Sequence, residues 1–196
     1  MATTVRFRYD QRLAAEKLGS DLAAMLEHMG LIDRPLLVLC IGTDRSTGDA
    51  LGPLVGQRLQ EALPFWEGRV LGTLDCPIHA GNLADVLADL RCDTEEPVIV
   101  AVDACLGRAE SVGTVCIAPG PLLPGAGVNK SLPEVGVAHV TGTVNVGGFM
   151  EYFVLQNTRL HLVMSMAAVI AEGVAHAARL LRDARSRPAL ADAAPL

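Results

Sequence analysis

The sequence predicts an α/β protein with three layers, in which helices cover both faces of a mostly parallel central sheet. Two continuous apolar runs, at residues 36–41 and 97–102, are typical of strands buried on both faces. Segments with apolar residues at helical spacing alternate with such runs along the chain. Because a strand, a helix and a second strand in this order form a crossover unit, the alternation favours a doubly wound sheet.

The helices are predicted from apolar spacing and from residues that begin or end a helix. Leu18 and Leu22 share one face of a helix expected from about Asp10 to Gly30. Asn82 is expected to cap a later helix whose leucines keep the same spacing. The expected helices lie at residues 10–30, 51–63, 83–90, 145–156 and 160–182.

The strands are predicted as apolar runs bounded by glycine, proline or polar residues. Pro35 and Gly42 bound the first of these runs. The expected strands lie at residues 36–41, 69–74, 97–102, 112–118 and 137–144. Residues 119–134, which are rich in proline and glycine, are expected to form a long surface loop.

Length and composition indicate one domain without a broad binding surface for nucleic acid. The 196 residues, 51% of them hydrophobic, supply one sizeable core. We expect an N-terminal helix within residues 1–34, an α/β core at 35–182 and a frayed tail at 183–196. The formal net charge of −6 argues against direct contact with nucleic acid, and no lysine-rich amphipathic segment suggests a membrane surface.

The location predicted from the sequence is cytoplasmic. The N-terminal residues lack the apolar segment of a secretory signal, and the apolar run at 160–171 is too short to span a bilayer. That run is therefore expected to be a buried core helix. Five cysteines, without C-x-x-C spacing, indicate reduced thiols, four of which are expected to be buried and inert.

Two aspartates follow the two clearest apolar runs. Asp49 ends a glycine-rich loop after the first run, and Asp103 follows the second run directly. Since ligands of open α/β sheets bind at the carboxyl ends of the strands, these two acids are expected to meet there. Asp103 is the stronger candidate for a functional role than Asp49, because an acid that leaves a strand interior is costly to desolvate unless it is paired or used. The position of Asp49 would also suit a simple helix cap.

The loop that contains Asp49 does not match the common nucleotide or serine-nucleophile motifs. The segment GTDRSTGDALG fits neither G-x-x-x-x-G-K-[ST] nor G-x-G-x-x-G, and its acids disfavour phosphate. Ser46 does not lie in a G-x-S-x-G turn. The pair of aspartates is therefore the main candidate for chemistry.

Five segments, in the same order along the chain, resemble the YyaC-type sporulation proteins, relatives of the spore germination protease. They are LCIGTDRSTGDALGPLVG, GTLDCPIHAGNL, VDACLG, GAGVNKSLPEVG and TGTVNVGGFMEYFVLQNTRL. The chain is similar, more distantly, to the hydrogenase maturation endopeptidases. These resemblances imply a phosphorylase/hydrolase-like α/β fold and a location in the forespore or spore interior.

The resemblance to the germination protease implies which residues carry the chemistry. Its two proposed catalytic aspartates correspond to Asp49 and Asp103 in this chain. Further residues are expected to support the pair or contact the substrate. They are Asp44, Arg45, Gly48, His79, Asn129 and Lys130.

The resemblance to the maturation endopeptidases implies a metal, but the sequence departs from their pattern. Those proteins bind a metal with two acids and a histidine of a later loop, where this chain has Pro133. We therefore expect no obligatory cofactor. The alternative is a divalent metal held by Asp49, Asp103 and His79, with His139 as another candidate ligand.

Together these observations predict a sporulation-associated endopeptidase that acts through the aspartate pair. Its partner would be a protein or peptide substrate such as a small acid-soluble spore protein. Three alternatives stay open: a non-catalytic binding protein on the same fold, a metal-dependent maturation-type endopeptidase and a small-molecule hydrolase. The oligomeric state also stays open. The aromatic cluster of Phe149, Tyr152 and Phe153 could pack against a partner, but we expect it to pack against the core.

Overall fold

The computed structural model describes residues 3–64, 66, 68–92, 96–125 and 132–186. Within these ranges the strands are β1 Val5–Arg8, β2 Leu36–Cys40, β3 Arg69–Leu71, β4 Val98–Gly107, β5 Thr114–Pro119 and β6 Ala138–Val146. The helices are α1 Ala14–His28, α2 Leu51–Ala62, α3 Leu83–Leu90, α4 Glu151–Gln156 and α5 Leu160–Arg185. A short 3₁₀ turn, Ala109–Ser111, connects β4 to β5.

The strands form one mixed sheet in the order β1-β5-β6-β4-β2-β3. Strands β3, β2, β4 and β6 run parallel to one another, whereas β5 pairs antiparallel with β6 and β1 pairs antiparallel with β5. The predicted α/β class with a mostly parallel sheet is confirmed. β5 runs opposite to β4, with β6 between them, because the short connection at residues 108–113 is too short for a parallel crossover.

Helices cover both faces of the sheet, and alternate residues of one strand show this. Leu36, Val38 and Cys40 of β2 belong to a core cluster that includes α1, α2 and α5. Leu37 and Leu39 belong to a second cluster, which includes α3. Because successive side chains of a strand point to opposite faces, α1, α2 and α5 cover one face and α3 covers the other.

α1 and α5 approach each other closely on the larger face, at Gly19 and Gly173. A Cβ atom at Gly173 would lie 2.7 Å from Cβ of Leu18 and 2.9 Å from the carbonyl oxygen of Ala15. A Cβ atom at Gly19 would lie 2.7 Å from the carbonyl oxygen of Gly173. The two helices can therefore approach this closely only because Gly19 and Gly173 have no side chains.

α5 is longer than the apolar run from which it was predicted. By length and composition alone its 26 residues could cross a membrane, although half of its most apolar window is buried inside the protein. Its buried residues, among them Met166, Ile170 and Val174, belong to the larger core cluster. The expected core helix is thus present and extends to Arg185, beyond the predicted end at residue 182.

Two expectations for the N-terminal region were wrong. The first 12 residues were not predicted to hold a strand, but Val5–Arg8 forms β1 at the edge of the sheet. The first helix begins at Ala14 instead of near Asp10, because Leu13 has a left-handed φ of 61°, which a right-handed helix cannot include. Most of the expected frayed tail, from residue 187 onward, lies outside the described residues.

The prediction of four buried cysteines was also wrong. Cys40 is buried, but Cys76 and Cys92 are exposed, and Cys105 and Cys116 are partly exposed. Cys76 lies in the turn after β3 and Cys92 lies just after α3, where the described residues leave them exposed. None of the five cysteines is joined in a disulfide.

Candidate active site

A cavity of about 240 Å³ lies at the carboxyl ends of the central strands. It is lined by Asp49, Asp103, Ala104, Cys105, Leu106, Leu122, Leu123, Gly125, Thr141 and Leu155. Both aspartates that the sequence singled out therefore face the same space. Most of the other lining side chains are apolar, so the two carboxyl groups are the main charged groups of the cavity wall.

Asp103 is buried inside β4 and does not follow its end. β4 continues to Gly107, and Asp103 pairs with Thr141 of β6. The sequence placed the strand end too early, because polar residues after position 102 ended the apolar run while pairing with β6 continued. Only 9% of Asp103 is exposed, and its Oδ1 accepts a hydrogen bond of 2.8 Å from the amide of Ala104.

The buried position of Asp103 favours its protonated form. Burial raises the pKa of Asp103 well above the ordinary value of 3.8, and the negative charge of Asp49 raises it further. The hydrogen bond from the Ala104 amide opposes this effect but is the smallest of the three contributions. Asp103 can therefore keep a proton at a pH at which ordinary aspartates are ionised.

Asp49 is held by a compact loop between β2 and α2. The amide of Thr43 donates a hydrogen bond of 3.2 Å to the carbonyl oxygen of Asp49, which closes the loop. Gly42 has a φ of 144°, and a Cβ atom there would overlap that same oxygen. A Cβ atom at Gly52 would overlap the carbonyl oxygen of Ile41. The glycines of this loop thus let α2 begin directly beside the end of β2 and fix the backbone of Asp49.

Gly48 connects this loop to α4. Its amide donates a hydrogen bond of 2.9 Å to the carbonyl oxygen of Leu155, and a Cβ atom at Gly48 would lie 2.8 Å from Cδ2 of Leu155. The Asn145 side chain supports the same end of α4, since Nδ2 donates to the carbonyl oxygen of Val154 and to Oγ1 of Thr158. Gly48 therefore contacts α4 closely, and its predicted role beside the aspartate pair stays a prediction.

Several other predicted site residues lie away from the cavity lining. Asp44 and Arg45 are exposed, and the amide of Arg45 donates to Oγ1 of Thr43. His79 is exposed as well, and its Nδ1 accepts a hydrogen bond of 3.1 Å from the amide of Gly81. His139 contacts the carbonyl oxygen of Gly120. The two predicted substrate contacts, at positions 129 and 130, lie outside the described residues.

Comparison with known proteins agrees with this fold. A family model described as "Protein of unknown function (DUF1256)" matches residues 6–173. The chain belongs to this family. The chain is 54% identical, over 161 residues, to the "Uncharacterized protein YyaC" of Bacillus subtilis (strain 168), and the match covers 82% of the chain and 77% of the relative. The predicted resemblance to YyaC is confirmed, whereas the link to the spore germination protease stays a prediction.

A solved structure shares the fold of this DUF1256 protein at low sequence identity. The crystal structure of the [NiFe] hydrogenase maturation protease HycI from Thermococcus kodakarensis KOD1 matches with a TM-score of 0.50 and 20% identity. The match covers 76% of this chain and 99% of that structure. At 20% identity the likeness shows a shared fold. In HycI, a maturation protease, this fold carries a peptidase.

The described residues of this DUF1256 protein do not fit the predicted metal centre. Asp49 and Asp103 provide two carboxylates, but His79 does not line their cavity and its Nδ1 is engaged in a local turn. In the ranges that the structure describes, no group of three or more His, Cys, Asp or Glu side chains could hold a metal ion. The described residues therefore give no support to a metal-dependent step.

Two polar residues of the cavity were missed by the sequence analysis. Cys105 and Thr141 line it beside Asp103. Burial raises the pKa of the Cys105 thiol, whose Sγ lies 3.4 Å from Oγ1 of Thr143. Cys105 could have been found from its spacing, since residues two apart on a strand share a face. Thr141 could not, because its place opposite Asp103 depends on the register of β6.

The aromatic cluster near α4 is exposed, which contradicts the prediction that it packs against the core. Phe149 is 79% exposed, Tyr152 is 70% exposed and Phe153 is 56% exposed. α4 turns Leu155 toward the cavity, and its one buried side chain is that of Leu155. Because α4 has only six residues, it cannot bury both of its faces against the sheet.

Proposed function

We propose that this DUF1256 protein is an endopeptidase in which Asp49 and Asp103 activate water and protonate the leaving group. The observation that carries the proposal is that both carboxyl groups line one cavity, where the charge of Asp49 acts on a buried Asp103. Such a pair keeps one proton between two acids, which is the state required for combined base and acid catalysis. The fold shared with a maturation protease supports this choice of reaction.

Each aspartate has a separate task in the reaction. Asp103, buried and with a raised pKa, holds the proton, and Asp49, which is only partly buried, acts as the carboxylate. Asp49 takes a proton from water as the water oxygen bonds to the peptide carbonyl carbon. The C–N bond then breaks as Asp103 gives its proton to the leaving nitrogen. The products are a carboxylic acid and an amine, and the proton on Asp49 restores the starting state by transfer to Asp103.

The substrate proposed for this reaction is a polypeptide. The resemblance to the germination protease suggests small acid-soluble spore proteins, and a maturation-type precursor protein is the alternative suggested by HycI. General acid and base assistance each contribute about 10²- to 10⁴-fold to the rate. Loss of either aspartate is therefore expected to reduce turnover by at least about 10²-fold.

The test compares Asp49→Asn and Asp103→Asn with the unmodified protein on a small acid-soluble spore protein and on casein. Cleavage is followed by mass spectrometry of the products, with and without EDTA. Asp89→Asn is the matched control, because Asp89 is an exposed carboxylate on α3 that does not line the cavity. We expect chelator-insensitive cleavage by the unmodified and control proteins, and a loss of at least about 10²-fold in both active-site variants.

Other outcomes would contradict the proposal in distinct ways. Undiminished turnover in both Asp variants would reject the aspartate pair. Cleavage abolished by EDTA and restored by a divalent ion would favour the metal-dependent alternative. An intact substrate that nevertheless binds with measurable affinity would indicate a binding protein instead of an enzyme.

A further inference from the structure

An exposed apolar surface adjoins the cavity. This apolar rim consists of Leu123, Val146, Phe149, Met150, Tyr152 and Phe153. Five of the six residues lie between positions 146 and 153, at the end of β6, in the turn before α4 and in α4 itself. Contiguous exposed groups of large apolar side chains are uncommon on monomers and mark interaction sites.

The apolar rim is continuous with the cavity. Leu123 belongs to both, and α4 places Leu155 in the cavity wall while Tyr152 and Phe153 of the same helix face solvent. The turn that precedes α4 is also fixed to the end of β4, since the amide of Gly147 donates a hydrogen bond of 2.9 Å to the carbonyl oxygen of Gly107. The apolar rim therefore adjoins the cavity at Leu123 and along α4.

The cavity is too small to account for binding by itself. Its 240 Å³ lies below the roughly 300–1,000 Å³ of typical small-ligand pockets. A ligand whose reacting bond lies between Asp49 and Asp103 must therefore obtain most of its affinity outside the cavity. The apolar rim is the adjoining surface that can supply it, since aromatic and methionine side chains make strong, adaptable contacts.

The charge and backbone of the apolar rim favour an apolar partner. Glu151 is the one charged residue between positions 146 and 156, and its Oε1 accepts a hydrogen bond of 3.2 Å from the Gly148 amide. Met150 has a φ of 47°, a left-handed conformation that is strained for a methionine. Strained backbone conformations cluster at functional sites, where the surrounding structure holds them in place.

We propose that the apolar rim is the docking surface for an extended, apolar segment of a polypeptide substrate, next to the bond held at Asp49 and Asp103. That the bound segment belongs to a substrate rests on the proposed function. The binding of an unfolded apolar segment to the rim does not depend on that function. A folded protein would bury such a segment in its own core. The rim would therefore select chains, or parts of chains, that are unfolded.

The test measures binding separately from cleavage. The probe is fluorescein-labelled α-lactalbumin, either reduced and carboxymethylated so that it stays unfolded, or in its native disulfide-bonded form. Binding is followed by fluorescence anisotropy with the full chain and with Asp103→Asn, which is expected to bind without turnover. We expect saturable binding of the unfolded form by both proteins and at least tenfold weaker binding of the native form.

The variant that tests the apolar rim combines Phe149→Ser, Tyr152→Ser and Phe153→Ser. These side chains are exposed, so the thermal unfolding midpoint should change little, while the Kd for the unfolded probe should rise about tenfold or more. Leu180→Ser is the matched control, because Leu180 is also an exposed apolar residue. It lies about 30 Å along α5 from Leu160, the residue at which α5 begins after α4. The control should bind the probe like the unmodified protein.

Three results of the binding measurements would overturn the docking proposal. They are an unchanged Kd in the triple variant, equal binding of the two probe forms, and an equal loss of binding in Leu180→Ser. A further overturning result is a dimer, detected by analytical ultracentrifugation, that becomes monomeric in the triple variant without a change in probe binding. That result would assign the surface to a second copy of the chain. Failure to cleave any substrate, with probe binding as expected, would instead contradict only the proposed endopeptidase activity.

Discussion

Two regions of the molecule place their apolar and polar side chains in opposite ways. One is the face of the sheet covered by α1, α2 and α5, and the other is the edge formed by the carboxyl ends of the strands. On the covered face, leucine, valine and isoleucine side chains are buried, and glycines bring α1 and α5 into contact. At the carboxyl edge, the acid Asp103 is buried while the aromatic residues Phe149 and Tyr152 are exposed. The usual preference for apolar interior and polar surface is thus reversed at the edge.

This difference indicates where stability and function reside. Burial of apolar groups on the covered face stabilises the fold, whereas a buried acid and exposed aromatic residues oppose folding and need another explanation. Sites of function are the places where proteins keep such unfavourable arrangements. Substitutions on the covered face should therefore mainly lower stability, whereas substitutions at the carboxyl edge should also lower activity. One substitution at the edge should lower activity while it raises stability.

The largest effect on stability is expected for Gly173→Val on the covered face. The new side chain would meet Leu18 and the backbone of Ala15, and overpacking of this kind costs about 3 kcal/mol. Chemical denaturation measures the change in the free energy of unfolding. Glu172→Val, at the exposed neighbouring position, should cost less than about 1 kcal/mol. Equal losses in both variants would show that β-branching, and not the helix contact, is responsible.

A smaller loss of stability, but a larger loss of activity, is expected for Gly42→Ala at the carboxyl edge. The added Cβ would overlap the carbonyl oxygen of Asp49, and the φ of 144° is unfavourable for alanine. We expect a cost of about 2 kcal/mol in stability. Because the backbone of Asp49 must move, kcat/KM per folded molecule should also fall by about tenfold or more. Normal kcat/KM in the folded fraction would contradict the role of this glycine in placing Asp49.

Asp103→Asn is expected to increase stability while it removes activity. Because the pKa of Asp103 is raised in the folded protein, the folded state holds its proton to a higher pH than the unfolded state does. The free energy of unfolding of the unmodified protein should therefore fall as the pH rises from about 4 through the raised pKa, by at most about 1.4 kcal/mol per pH unit from this group.

Asparagine cannot ionise, so the stability difference between Asp103→Asn and the unmodified protein should grow across this pH range and then level off. Urea denaturation at several pH values measures it. The activity of the unmodified protein should also decline as Asp103 loses its proton at high pH. A stability difference that does not depend on pH would contradict the raised pKa.

The smallest effect is expected for Ser46→Ala in the loop before Asp49. Ser46 is buried, and none of the described residues provides a hydrogen-bond partner for its Oγ. Removal of an unsatisfied buried hydroxyl should stabilise the protein by about 1 kcal/mol. A loss of stability, measured by chemical denaturation, would indicate that the hydroxyl has a partner outside the described residues.

Short-range patterns explain which parts of this structure could be predicted. The apolar runs at 36–41 and 97–102 predicted β2 and the first half of β4 because a strand buried on both faces needs apolar residues at every position. The second half of β4 was missed, since Asp103 and Cys105 interrupt the apolar run and pairing with β6 maintains the strand. β1 was missed because an edge strand with one buried residue carries a weak pattern.

The sequence alone was sufficient to predict the α/β class and the family, and it singled out Asp49 and Asp103 as candidates, because apolar runs and motifs are formed by residues near one another in the chain. Only the tertiary structure decided that Asp49 and Asp103 share one cavity, that Asp103 is the member with the raised pKa, and that the aromatic side chains beside it face solvent. The physical reason is that desolvation and exposure depend on which distant segments cover a side chain. Here the coverage follows from the register of β6 against β4 and from the position of a six-residue helix.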